Sequence, residues 1–142
     1  MIAKMPASID HLVTLTADMA QTSAAMARIG FSLTPPSLHE TGAWTNRNIL
    51  LDNGYWELQQ VHQLNQLTRP LSQSFARRRG LHGICLTSTD INASVAEARR
   101  AEISISEPFS FSRTVRVNGR ARALRFSIAH CLDAPDGLLL FF

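Results

Sequence analysis

Two stretches of this chain follow one plan. Residues Asp10 to Pro36 and Leu81 to Pro108 each read as a strand holding a histidine, a turn with an aspartate, a helix, and a second strand stopped by proline. Asp18 and Asp90, Met19 and Ile91, Ser32 and Ser104, and Pro36 and Pro108 are each 72 positions apart, whereas His11 and His82 are 71 apart. A one-residue slip in the strand-to-helix turn accounts for the difference. An internal repeat constrains the fold more than any local signal, because such a unit buries its apolar face only against its neighbour.

The first strand, residues 8 to 16, alternates so that Ile9, His11, Val13 and Leu15 share one face. Asp18 is placed to cap a helix, with Met19, Thr22, Met26 and Ile29 as its apolar stripe and Gly30 as its end. Phe31 to Thr34 reads as a short strand stopped by Pro35 and Pro36, and Ser37 to Thr45 as a polar loop carrying His39. Residues 46–52 and 55–61 read as a hairpin turned by Asn53-Gly54. In its second strand Tyr55, Glu57, Gln59 and Val61 share a face. A crossover over 62–80 contains a short helix after Pro70. The second copy repeats the plan with a strand at 81–87, Asp90 as cap, a helix burying Ile91, Val95 and Ala98, and a strand at Ile103 to Ser106. Strands near 111–117 and 120–131 follow, turned by Asn118-Gly119, and a last strand runs from Leu138 to Phe142. The resulting organisation is one domain, with module 1 over 8–61, the crossover over 62–80 and module 2 over 81–142.

At 142 residues, 45% hydrophobic and 18% charged, the chain has the size and composition of one soluble domain. No apolar run approaches the roughly 18 residues that span a bilayer, and the amino terminus lacks an apolar signal core, so a cytoplasmic location with no membrane partner is expected. Cys85 and Cys131 have no metal-type spacing and read as reduced core residues. The net charge of +3 is concentrated in Arg77-Arg78-Arg79 and in Arg113 to Arg125. The first run reads as a solvated helix end. The second alternates as strand positions do, without an interleaved aromatic platform, so no nucleic-acid partner is expected.

Ile9-Asp10-His11-Leu12-Val13, Ile29-Gly30-Phe31, Thr45-Asn46-Arg47, Tyr55-Trp56-Glu57-Leu58, Gly80-Leu81-His82-Gly83-Ile84 and Asp136-Gly137 together resemble the vicinal oxygen chelate superfamily, in its glyoxalase-like branch. The resemblance implies an α+β fold of two βαβββ modules related by a pseudo-twofold axis, whose mixed sheet forms a half-open barrel around one pocket. In many members a divalent metal (Fe, Mn, Ni or Zn) is held there by the first and last strands of each module. Matched onto this chain, the metal ligands fall on His11, Glu57 and His82. Aligning Gly54 with Gly137 puts the fourth on Leu140, which cannot bind a metal. Two imidazoles and one carboxylate still make a three-ligand site with open positions.

Each residue also has a plainer reading. His11 and His82 can be strand histidines satisfied by backbone, and Glu57 can pair with an arginine of the 113–125 region. His39, Asn46, Tyr55 and Leu140 are the candidate substrate-binding residues, and Glu57 is also the candidate proton-transfer base. His62 and His130 lack matched partners and receive no role. Two functions stay open. One is a metal-dependent lyase, isomerase or ring-cleaving dioxygenase acting on a small substrate with vicinal oxygens. The other is a metal-free protein binding a drug-like or cationic ligand, supported by the apolar Leu138 to Phe142 and by Tyr55 and Trp56 beside an acid. A homodimer is expected, because the apolar carboxyl-terminal strand would otherwise present an open edge.

Overall fold

The computed structural model describes residues 8–39, 42–117 and 119–142. Its elements run β1 (Ile9–Leu15), α1 (Met19–Arg28), β2 (Ser37–Leu38), β3 (Trp44–Leu51), β4 (Gly54–Val61), α2 (Arg69–Arg77), β5 (Gly83–Leu86), α3 (Ile91–Arg100), β6 (Phe109–Val117), β7 (Arg120–Ile128) and β8 (Leu139–Phe141), with a 3₁₀ turn at Pro135–Gly137. Six strands form one open mixed sheet in the order β2-β3-β4-β1-β5-β8, while β6 and β7 form a separate ribbon. The architecture is the expected α+β fold with an unclosed, mixed sheet.

Both repeat helices begin as the sequence requires. Asp18 accepts from the Gln21 amide, and Asp90 accepts from the amides of Asn92 and Ala93. Val95 and Ala98 of α3 are buried with Ile105 and Ala129, and Ile91 and Phe142 pack against them. In α1 the buried stripe is Met19 and Ser23. Ile29, expected to complete that stripe, is 71% exposed because it has become the helix C-cap. The short strands expected at 31–34 and 103–106 shrink to single bridges, Leu33 to Ile49 and Ile105 to Cys131. The edge strand of module 1 forms instead at Ser37–Leu38, beyond the two prolines, where a loop was expected.

The strand register carries the repeat. β1 and β5 lie antiparallel with Leu12 opposite Ile84, flanked by His11 opposite Cys85 and Val13 opposite Gly83. A twofold axis through the Leu12 and Ile84 pair therefore exchanges His11 with Gly83 and Val13 with Cys85. The spacing is 72 here as elsewhere, and no slip is needed. β4 lies parallel to β1 with His11 opposite Tyr55 and Val13 opposite Glu57, and β8 lies parallel to β5 with Gly83 opposite Leu139 and Cys85 opposite Phe141. The counterpart of Glu57 is thus Phe141, and Leu140 is the counterpart of Trp56.

β8 is not an open edge. It pairs with β5 on one side and, through Ala129 to Phe142 and Cys131 to Leu140 hydrogen bonds, with the segment after β7 on the other. The edge argument for a dimer accordingly loses its footing. The second hairpin turn, expected at Asn118-Gly119, falls partly outside the described residues; Gly119 itself has a φ of 76°.

Candidate functional site

The concave side of the sheet encloses a cleft of about 810 Å³. Alternation along β1 and β4 decides what it presents: His11 from the first, and Tyr55, Glu57 and Gln59 from the second. On the opposite face Trp56 donates its indole N–H to Thr14 at 2.9 Å, and Leu58 is fully buried. One strand thus supplies both core and chemistry.

Among the described residues Glu57 is the most buried carboxylate of this cleft, which Asp10 and Asp90 also line. Its side chain is 12% exposed, and it accepts from the Asn46 amide at 2.5 Å and from the Gln59 amide at 2.8 Å. The Gln59 oxygen is left buried without a partner, so the carboxylate dictates which way that amide faces. Among the described residues no arginine pairs with Glu57, so its charge is solvated by neutral donors alone.

His11 is 9% exposed and stacks on Tyr55 with ring centroids 4.4 Å apart. Its Nδ1 lies 2.7 Å from Asp10 Oδ2, and its Nε2 lies 3.7 Å from Glu57 Oε2. A carboxylate can only accept, so the Asp10 contact puts a proton on Nδ1 and leaves Nε2 as the nitrogen that faces Glu57. Nε2 and Oε2 stand across a gap too wide for a direct hydrogen bond.

His39 and Asn46 also line the cleft. His39 is 6% exposed and stacks on Trp44 at 3.7 Å, held there by the pairing of β2 with β3. His11, His39, Asn46, Tyr55 and Glu57 are therefore brought together, as the sequence reading placed them. His82 and Leu140 are not among the lining residues. The His82 ring sits beside Phe75 of α2, its Nδ1 between the Leu15 amide at 3.1 Å and the Gly80 carbonyl at 2.7 Å, and its Nε2 is sealed without a partner. Burial lowers its pKa, with the Gly80 carbonyl opposing. Leu140 follows the opposite alternation from Leu139 and Phe141, which do line the cleft.

Sequence reasoning missed most of the far wall. Phe109 and Phe111 of β6 and Phe126 of β7 line it, with Phe111 stacked on Phe126 at 5.1 Å, and Arg125 stands exposed at the rim. The phenylalanines flank the Arg113 to Arg125 stretch, and among the described residues Arg125 is the arginine of that stretch placed at the cleft. The wall became visible only when the register put Phe111 opposite Phe126. His130, given no role, lines the same wall. The Arg77 to Arg79 run does end α2: Arg78 donates to the Leu81 carbonyl at 3.1 Å and Arg79 lies over the Phe75 ring.

Asp10, His11 and Cys85 have ligand atoms within 4.8 Å of one another, so a possible metal site exists at the polar end of the cleft. The residues present do not fit the expected arrangement in which each module supplies ligands from its first and last strands. Gly83 and Phe141 stand where module 2 would answer His11 and Glu57. Without a metal the Cys85 thiol is pushed up to about 12 by burial and by the negative charges of Asp10 and Glu57, and Asp10 is engaged by Nδ1 of His11, so a cation there would have to displace both protons.

The fold has solved counterparts. A hypothetical protein from Staphylococcus aureus superposes with a TM-score of 0.72 at 14% identity, covering 95% of this chain, which spans only 58% of that protein's length. A hypothetical protein from Bacillus halodurans gives 0.68 at 13% identity over 97% of this chain and 94% of its own. A methylmalonyl-CoA epimerase from Streptomyces coelicolor, solved in complex with 2-nitronate-propionyl-CoA, gives 0.56 at 19% identity over 94% and 93%. No curated protein matches the sequence. The profile of the glyoxalase-like domain matches residues 9–142, the stretch that holds β1, the cleft and β8. With that match over nearly its whole length, the chain belongs to the glyoxalase-like domain family, within the vicinal oxygen chelate superfamily.

Proposed function

We propose that this protein is an enzyme that moves a proton on a small oxygen-bearing substrate, with Glu57 as base and the Asp10-held His11 as its acid partner. The observation that supports this most is the facing pair of proton-carrying groups, His11 Nε2 and Glu57 Oε2, 3.7 Å apart at the end of an aromatic cleft. A carboxylate whose charge meets no cation is a better base than an ion-paired one. Proton abstraction beside a carbonyl is the reaction class that uses such a pair, and inverting a stereocentre, as the names of the epimerase neighbours imply, belongs to it. Asn46 and Gln59 hold the carboxylate in place, Tyr55 holds the imidazole plane, and the phenylalanine wall excludes water. In this reading the chemistry falls to the protein's own groups rather than to Fe, Mn, Ni or Zn on His11, Glu57 and His82, because only two of those three residues line the cleft.

A second reading, a binder of planar ligands, is favoured by Gly83 and Phe141 in the module 2 positions.

The test is solvent exchange. Incubating the protein in D₂O with a panel of 2-oxo acids, ketones and thioesters, and following the α-proton by NMR, should reveal exchange in at least one compound. Glu57→Gln should slow it by roughly 10²–10⁴-fold with the circular dichroism spectrum unchanged. Chelator treatment should leave the rate as it was. Full exchange in Glu57→Gln sinks the proposal, and exchange abolished by chelator and restored by a divalent metal sinks its metal-free form. Binding without exchange, insensitive to Glu57→Gln, selects the second reading.

A further inference from the structure

Among the described residues no hydrogen bond reaches the ring of His130, a histidine of the cleft wall. Its position is fixed from both sides. Its amide donates to Ser106 Oγ at 3.0 Å, its carbonyl accepts from the Ser106 amide at 2.9 Å, and it bridges to Phe141 in β8. Its ring packs at 5.8 Å from Phe109 and 5.5 Å from Phe141, and lines the cleft. Burial lowers its pKa, so the ring is neutral at pH 7 and offers one donor and one acceptor. Among the described residues nothing bonds its ring nitrogens, and they are not among the polar atoms sealed from solvent, so a molecule in the cleft can reach them.

The same Phe141 ring also meets His11 edge-on at 5.7 Å. Along the sheet, His130 lies three strands from His11, beyond β5 and β8. A flat molecule lying over Phe141 thus meets Glu57 and His11 at one end and His130 at the other. We infer that His130 takes a hydroxyl of the bound molecule, so that the cleft selects planar aromatic compounds carrying a phenol-type hydroxyl at the end remote from Glu57. A hydroxyl donates and accepts at once and so matches a neutral imidazole on equal terms. This inference rests on the cleft being the substrate site, and it names the substrate class.

The probes are 2-naphthol and naphthalene, a matched pair differing by one hydroxyl, titrated into protein with ¹⁵N-labelled histidine rings. Wild type should bind 2-naphthol about tenfold more tightly, the equivalent of one hydrogen bond worth about 1.4 kcal/mol, and only 2-naphthol should move the His130 ring resonances. His130→Phe should erase the preference and leave naphthalene affinity as it was. His130→Gln, which keeps a donor and an acceptor, should keep part of it and guards against a packing artefact. Glu57→Gln should retain the preference in full. No preference in wild type, binding of neither probe, or an unchanged preference in His130→Phe overturns the assignment. Preference lost in Glu57→Gln but kept in His130→Phe overturns it too, by seating the hydroxyl at the carboxylate. Failure of the proton-transfer reading would show separately, in the exchange assay.

Discussion

In the proposed proton transfer His11 depends on Asp10, whose carboxylate lies 2.7 Å from Nδ1 and sets how the ring is held. Asp10→Ala removes the acceptor from Nδ1, frees the ring to adopt the other tautomer, and should cost roughly 10–100-fold in α-proton exchange, chiefly in kcat. An equal fall in affinity with kcat intact would instead make Asp10 a binding residue. Asn46→Ala leaves Glu57 with the Gln59 amide as its carboxamide partner and should reduce the same rate about tenfold; a rate equal to wild type would show that Gln59 and water suffice. His11 and Glu57 were singled out through the family resemblance, and alternation put Tyr55 on the face of Glu57; that β1, β3 and β4 bring these residues and Asn46 to one cleft came from the strand pairing. The place of His82 was not legible, because matching histidine to histidine hid the register in which Gly83 is the true counterpart. The aspartate to aspartate spacing already held the right offset.

Element by element, the weak point is the turn between β3 and β4. Gly54 has a φ of 152°, and a Cβ there would lie 2.4 Å from the Asp10 carbonyl oxygen. Gly54→Ala therefore pushes β4 from β1 at the very residue that orients His11. It should destabilise the fold by about 2–4 kcal/mol, lowering the Tm by roughly 2–4 °C per kcal/mol for a chain of this size. An unchanged thermal melt by circular dichroism would refute the close approach. The capped helices and the Asn53-Gly54 hairpin were readable because each rests on local chemistry. The short strands after each helix were not: which residues pair at a sheet edge depends on the neighbouring strand, and two prolines moved that pairing downstream to β2. The phenylalanine wall was hidden for the same reason, since Phe111 and Phe126 are 15 positions apart in sequence and meet only through the ribbon register.

For the whole molecule, two buried imidazoles tie stability to pH. His82 and His130 both have pKa values lowered by burial, so between the unfolded value near 6.5 and their lower folded values the unfolded chain binds protons that the native one refuses. Stability is fully present above about pH 7 and falls as the solution is acidified through that window. Urea melts at pH 7.5 and 5.5 should show this loss, and His82→Gln should show a smaller one; equal losses in both proteins would clear His82 of responsibility. The same molecule also shows how a fold can forget. Rebuilding the symmetric partner of His11 would need a histidine at Gly83, but a Cβ there meets Val13 Cβ at 3.1 Å and the Leu139 carbonyl oxygen at 3.3 Å. Two neighbours have closed over the spot. A side chain at Gly83 must shift Val13 or the Leu139 backbone before it can gain anything in ligation, so the asymmetry between the two modules is held by packing as well as by residue identity.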